Sequence, residues 1–235
     1  TGAREHPSHT AVKGFSARFA TSRQDQRHMS KPDTHIQAPP LRFEKRLSEI
    51  LSDARTRSRA FSATYSQLWE QIELMAARGK KLRPRLLIDA YTALGGVDER
   101  AAVDAACAME LLHMSLMIHD DLIDNDLIRR GEMNITGRFA SEAMLRGIST
   151  RKSQRWGEAS SILAGDLTLT MAHSLLAGLE IEQNRRRAML DIFDDTVFES
   201  AAGEHYDMWL SMRLQDASIQ DVLSMIEQKT AAYSF

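Results

Sequence analysis

Three clusters of residues in this chain have types and spacing that could do chemistry. The first is Leu116-Met117-Ile118-His119-Asp120-Asp121-Leu122-Ile123-Asp124-Asn125-Asp126, in which four carboxylates follow a run of apolar side chains. On a helix Asp120 and Asp124 stack one turn apart on one face. Their charges repel each other and are repelled again by the negative end of the helix, so a cation must offset them. Hard divalent ions such as Mg²⁺ are held by a few carboxylates together with substrate phosphate oxygens. A solvated acidic helix end is the plainer reading of any such run. The apolar residues before it and the basic pair after it weigh against that reading here. A calcium loop is excluded because Arg129 stands where its glycine is required.

The second cluster follows at once. Arg129-Arg130-Gly131 sets two guanidiniums beside the carboxylates, a pairing suited to bidentate contact with phosphate. The third lies upstream, at Gly79-Lys80-Lys81-Leu82-Arg83-Pro84-Arg85. Four cations at the start of a helix, where backbone N–H groups also point outward, make an anion site. Either basic segment alone reads as ordinary surface charge. His113 stands two turns before Asp120 and reads as a core histidine, or as a hydrogen-bond donor to a nearby phosphate.

The elements that must position these clusters are helices. Apolar residues recur at three- and four-residue spacing from Leu41 to Leu51 and from Phe61 to Met75, the second run stopping near Arg78-Gly79. Pro84 suits the first turn of a helix running Arg85 to Leu94. Asp98 caps a helix from Arg100 to about Asp124 that is apolar nearly all round, and such a helix is central and buried. Residues 131–155 read as a short helix plus a loop, followed by helices at Trp156–Leu179, Asn184–Met212 and from Ser218 onward. Neither alternating strands nor a hairpin dipeptide is expected. The fold class is all-α, a bundle around a buried central helix.

Composition narrows the function classes. The 235 residues carry 30 Lys plus Arg against 32 Asp plus Glu, a net charge of −2, which argues against a nucleic-acid partner. With Cys107 as the one cysteine no internal disulfide can form, and a reducing, cytoplasmic location is expected. No membrane span is expected, because no uncharged apolar run nears about 18 residues. Residues 1–40 hold six Lys or Arg against three acids, a net of +3, with sparse apolar residues, and read as a disordered extension; 41–235 is the helical domain. The extension weakly resembles a transit peptide; a chain that properly starts at Met29-Ser30-Lys31-Pro32 is the preferred reading.

Taken together, the chain resembles the trans-type polyprenyl diphosphate synthases, the farnesyl and geranylgeranyl diphosphate synthase family. The resemblance is carried by Gly79-Lys80-Lys81-Leu82-Arg83-Pro84, Glu110-Leu111-Leu112-His113, Asp120-Asp121-Leu122-Ile123-Asp124 with Arg129-Arg130-Gly131, Leu163-Ala164-Gly165-Asp166-Leu167, Gly203-Glu204-His205-Tyr206-Asp207 and Lys229-Thr230. It implies an isoprenoid-synthase-type helical bundle and a homodimer. It implies Mg²⁺ at Asp120 and Asp124, with Asp121 supporting, clamping an allylic diphosphate that Arg129 and Lys229 also contact. Lys80, Arg83, His113 and Arg130 would hold isopentenyl diphosphate, and Thr230 would face the reacting carbons. The implied reaction is ionisation, condensation and elimination, with no dedicated basic side chain if the released diphosphate takes the proton.

Two departures stand out. Glu204 occupies a position where the family has Gln, and the family's second Asp-rich motif is expected beyond Lys229-Thr230, whereas this sequence ends at Phe235. A truncated, inactive product, or a non-catalytic partner subunit of a heteromeric synthase, is therefore an alternative. Another terpenoid enzyme using Asp-rich helices is a further one, against which the Lys80 to Arg83 segment and Arg130 weigh. Ser115, five residues before Asp120, with no aromatic from Ala108 to His119, implies an open tunnel and a C20 or longer product.

Overall fold

A computed structural model of the chain describes residues 42–212 and 217–231. The expected extension over residues 1–40 lies outside the described residues. Eight α-helices follow in order: α1 (Arg42–Ser58), α2 (Ala63–Ala76), α3 (Leu82–Ala93), α4 (Glu99–Ile123), α5 (Ile135–Leu145), α6 (Thr150–Ala177), α7 (Gln183–Met212) and α8 (Ile219–Ile226). A π-helical turn over Glu227–Ala231 continues α8. The all-α expectation holds, with one local exception described below.

The centre of the bundle is α4. Its N-cap is Asp98, whose side chain accepts a hydrogen bond from the Ala101 N–H at 3.0 Å. Ala102, Ala105 to Ala108, Leu111, Leu112, Met114 and Ile118 are buried on successive sides of it, against α1, α3 and α6. It is also the one described helix with the length and hydropathy of a membrane span, which a core helix shares with such spans. α1 turns Phe43, Leu47, Leu51 and Ala54 inward at the spacing of one helical stripe. α6 meets α4 through small residues: Ala164, Gly165, Thr168 and Ala172 are buried. A Cβ at Gly165 would collide with the His119 ring, so this glycine lets the ring that precedes Asp120 lie on the α6 backbone.

The sequence reading differs from the structure at several boundaries. α3 starts at Leu82, not Arg85; Pro84 stays within the first turn, where its missing N–H has no partner to lose. α6 starts six residues before Trp156, at Thr150. Residues 128–133, expected without strands, form a two-stranded hairpin: β1 (Ile128–Arg129) pairs antiparallel with β2 (Glu132–Met133). Its two central residues are Arg130 (φ 54°) and Gly131 (φ 81°). Positive φ at both positions is the backbone of the turn that Asn-Gly usually makes. Arg-Gly makes it here, so the residues that read as a charge pair are also a chain reversal.

Candidate active site

Helix α4 presents its chemistry on two sides. On one, the spacing 110, 113, 114, 117, 118 and 121 points Glu110, His113, Met114, Met117, Ile118 and Asp121 into a cavity of about 630 Å³. Residues 78–81, the first turn of α3 and the hairpin close that cavity. They bring Lys80, Arg83, Arg129 and Arg130 to its wall, so five of the side chains expected to bind diphosphate, His113 among them, line one space. Met75, Met114, Met117, Ile118 and Ile135 add apolar lining.

The four upstream cations do not act alike, which corrects the sequence reading of that segment. Lys81 is buried and its Nζ donates to Glu110 Oε1 at 2.7 Å. Arg85 is turned away and pairs with Glu44 at 3.1 Å. Lys80 is exposed at the cavity wall, and Arg83 Nη1 lies 3.5 Å from His113 Nε2. Burial is the main cause that lowers the His113 pKa, to about 4, and the cations Arg83, Lys81, Arg129 and Arg130 add to it. The ring is therefore neutral at pH 7 and its Nε2 accepts from Arg83.

On its other side α4 carries Asp120 and Asp124 toward the π turn. Lys229 Nζ reaches Asp120 Oδ1 at 3.0 Å, Glu204 at 3.2 Å and Asp207 Oδ2 at 2.6 Å. The cation demanded by the stacked carboxylates is thus partly this lysine. Burial works against its charge, but the hydrogen bonds to Asp207 and Asp120 outweigh that and hold its pKa above the usual lysine range. Burial raises the Asp124 pKa, and the Asp120 charge raises it further. Glu204 is raised by burial, opposed by Lys229 and reinforced by Asp120 and Asp124. The approach of the π turn to α7 depends on Gly203: a Cβ there would stand 2.7 Å from Lys229 Cα. Thr230, next along the turn, is exposed.

Arg129 joins the two sides. Its Nη1 donates to the Asp121 carboxylate inside the cavity and lies 3.4 Å from Asp120 Oδ2. Asp121 therefore stands apart from Asp120 and Asp124. It is buried, turned to Arg129 and Asn134 rather than toward Lys229, and its pKa is raised by burial against the pull of Arg129. Asn134 also caps α5 through Gly137 N–H at 2.9 Å and donates to the Asp126 carbonyl at 2.6 Å, fixing the hairpin's exit. Sequence reading missed Asn134, Asp207 and the Lys81–Glu110 pair. For Asp207 a signal existed: it is three residues from Glu204, hence on the same face of α7.

Among the described residues, no group of three or more His, Cys, Asp or Glu side chains is arranged to hold a metal ion. Two oxygen-bearing side chains one turn apart, at a place where a lysine ammonium already settles, suit Mg²⁺, which keeps open positions for substrate oxygens. Asp120 and Asp124 are the residues that fit it. Ser115 does not line the cavity. It is fully buried, and its Oγ donates to the Gly165 carbonyl at 2.9 Å, making it an α4–α6 contact.

The model of a family described as polyprenyl synthetase matches residues 66–235. A geranylgeranyl diphosphate synthase of Methanosarcina mazei is 35% identical over 158 residues, 67% of this chain and 43% of that protein. One from Saccharolobus solfataricus is 31% identical over 188 residues, 78% of this chain and 51% of that protein. The chain thus spans about half the length of the curated relatives it matches. Among solved structures, a Thermotoga maritima geranyltranstransferase is similar with TM-score 0.61 and 28% identity, over 81% of this chain and 61% of that one. A Corynebacterium glutamicum geranylgeranyl pyrophosphate synthase, complexed with isoprenyl diphosphate and magnesium, shares the fold at TM-score 0.74 and 23% identity, over 82% of this chain and 55% of that one.

Proposed function

The chain belongs to the polyprenyl synthetase family, and from that premise we propose that it is a prenyltransferase joining isopentenyl diphosphate to an allylic diphosphate. The observation that carries the proposal is the coupling of two unlike sites through Arg129. A cation-walled cavity partly lined by apolar side chains lies on one side of α4, and a carboxylate pair with a lysine lies on the other. Two diphosphates with short hydrocarbon groups match that division.

In this reading Lys80, Arg83 and Arg130 bind the diphosphate of isopentenyl diphosphate and orient it, while neutral His113 holds Arg83. Met114, Met117 and Ile118 receive the hydrocarbon and exclude water. Lys229 and Arg129 trade their carboxylate contacts for oxygens of the allylic diphosphate, and Thr230 borders the reacting carbons. Mg²⁺ held by Asp120 and Asp124 would supply charge neutralisation for the leaving diphosphate. The allylic C–O bond breaks with its electron pair on the diphosphate. The isopentenyl double bond then attacks the allylic carbon, and the proton lost from the adduct passes to the released diphosphate. Because the released diphosphate takes the proton, no side-chain base is required.

A C20 or longer product, supported by the geranylgeranyl diphosphate synthases among the relatives rather than by Ser115, belongs to the same proposal, as do a homodimer and a cytoplasmic location. For the dimer, Trp156 and Leu163, seven residues apart and so on one side of α6, are apolar and 42% and 53% exposed, a face that a second copy would cover. The test is incorporation of labelled isopentenyl diphosphate with C5, C10 and C15 allylic partners and Mg²⁺, for the parent chain and for Asp120→Asn. A prenyl diphosphate from the parent, with a rate about 10²-fold or more lower for Asp120→Asn, is expected. A folded parent that makes none refutes the proposal.

A further inference from the structure

The cavity wall holds a buried ion pair that the reaction above does not use. Lys81 and Glu110 meet at 2.7 Å, and each side chain is only 6% exposed. Their charges cancel locally, so Lys81 adds little net attraction for an anion. Replacing such buried pairs with apolar groups is often neutral or stabilising, so stability alone does not account for the pair.

The backbone indicates its purpose. Lys81 is the residue that enters α3, and it sits in the left-handed region at φ 51°, ψ 41°, with no side-chain cap. That conformation is unfavourable for a lysine and persists only where surroundings impose it. The buried bond to Glu110 ties that left-handed residue to α4. It fixes the direction of the chain between Lys80 on one side and Arg83 two residues on. Glu110 also shares a face of α4 with His113, three residues along, and His113 lies 3.5 Å from Arg83. The loop is thus tied to α4 at two successive points, one ionic and buried, the other at the cavity.

We propose that Lys81 and Glu110 are positioning residues that aim Lys80 and Arg83 at the diphosphate of the isopentenyl substrate. This rests on the reading under Proposed function, and the test separates the two. Sodium diphosphate is titrated calorimetrically into the chain in EDTA, so that the cationic cavity is read without a metal. Steady-state constants with Mg²⁺ are then taken for each variant.

Lys81→Met is expected to weaken diphosphate binding about 10-fold or more and to raise KM for isopentenyl diphosphate alike, with kcat within about 3-fold. Lys81→Arg keeps both within about 3-fold. Lys81→Met combined with Glu110→Gln removes the uncompensated carboxylate and recovers the parent's melting temperature, yet diphosphate binding stays weak. A double variant that binds as tightly as the parent overturns the proposal, because the pair then merely neutralises its own burial. So does Lys81→Met with the parent's KM. A parent chain that binds diphosphate in EDTA but forms no product refutes the function while the binding comparison still decides the pair. A parent that does not bind diphosphate overturns both.

Discussion

Gly203→Ala puts the geometry around Lys229 to a quantitative test. An added Cβ would stand 2.7 Å from both Gln228 C and Lys229 Cα, and closer still to the Lys229 amide nitrogen. These are backbone atoms, so no side-chain rotation relieves the clash. Ordinary contact begins at 3.4 Å, and the nearest atom, the Lys229 amide nitrogen, would lie at 2.3 Å, so restoring ordinary contact takes a retreat of 1.1 Å, the difference between 3.4 and 2.3 Å. If the side chain follows rigidly, the 3.2 Å contact to Glu204 and the 2.6 Å contact to Asp207, both on α7, lengthen past hydrogen-bond range. Displacements of this size at a reacting centre cost roughly 10²-fold in rate. Stability responds less. Alanine gains about 1 kcal/mol over glycine inside a helix, and overpacking costs about 1–3 kcal/mol, so the net loss is at most about 2 kcal/mol. The assay is the initial rate of labelled isopentenyl diphosphate incorporation beside a circular dichroism melt. Ala202→Gly is the control: it is exposed on the same helix and loses about the helix propensity that Gly203→Ala gains, without adding an atom beside the π turn. Rate losses that simply follow stability in both variants, or a Gly203→Ala variant at the parent's rate, would refute the reasoning.

Other predictions address the cavity and the central helix. His113 has a folded pKa of about 4, below its unfolded value of about 6.5, so the unfolded state takes up protons first. Its contribution to stability is intact above about pH 6.5 and is lost as pH falls, by about 2 kcal/mol at pH 5; urea midpoints for His113→Gln should lack this component, and parallel curves for variant and parent would contradict it. Arg130→Asn keeps a residue that tolerates φ near 54° and should leave the melting temperature unchanged while raising KM for isopentenyl diphosphate. Gly131→Ala, at φ 81°, should instead lower the melting temperature. Ser115→Phe forces an aromatic ring into the α4–α6 contact and should drop the melting temperature by more than about 5 °C; a shorter product at an unchanged melting temperature would show that Ser115 faces a tunnel after all.

Why some of this was legible in the sequence and some was not has a physical basis. α4 could be read because burial on all sides leaves an unbroken apolar record, and because Asp98 marks its start with a side chain suited to nothing else there. Asp120 and Asp124 share a face by helical arithmetic alone, and the repulsion between them implied a cation before its position was known. The hairpin was hidden because its turn is a backbone property: no side-chain rule places Arg130 in the left-handed region, and Arg-Gly advertises only charge. The partners of Lys229 were hidden because they come from α4 and α7, far from the π turn in sequence.

The two adjacent lysines make the point most sharply. Lys80 and Lys81 have the same chemistry and neighbouring positions, so pattern reading treats them as equals. Lys81, in a left-handed conformation, is held in the interior by Glu110, while Lys80 stays at the cavity wall. Residue type announces which chemistry is available in a segment, but a tertiary partner and the backbone it accompanies decide which of two equal charges can perform it. Charge pattern alone therefore overcounts the cations of this segment, whereas the family resemblance singles out Lys80 and Arg83, which reach the cavity wall, and not Lys81 and Arg85, which Glu110 and Glu44 hold.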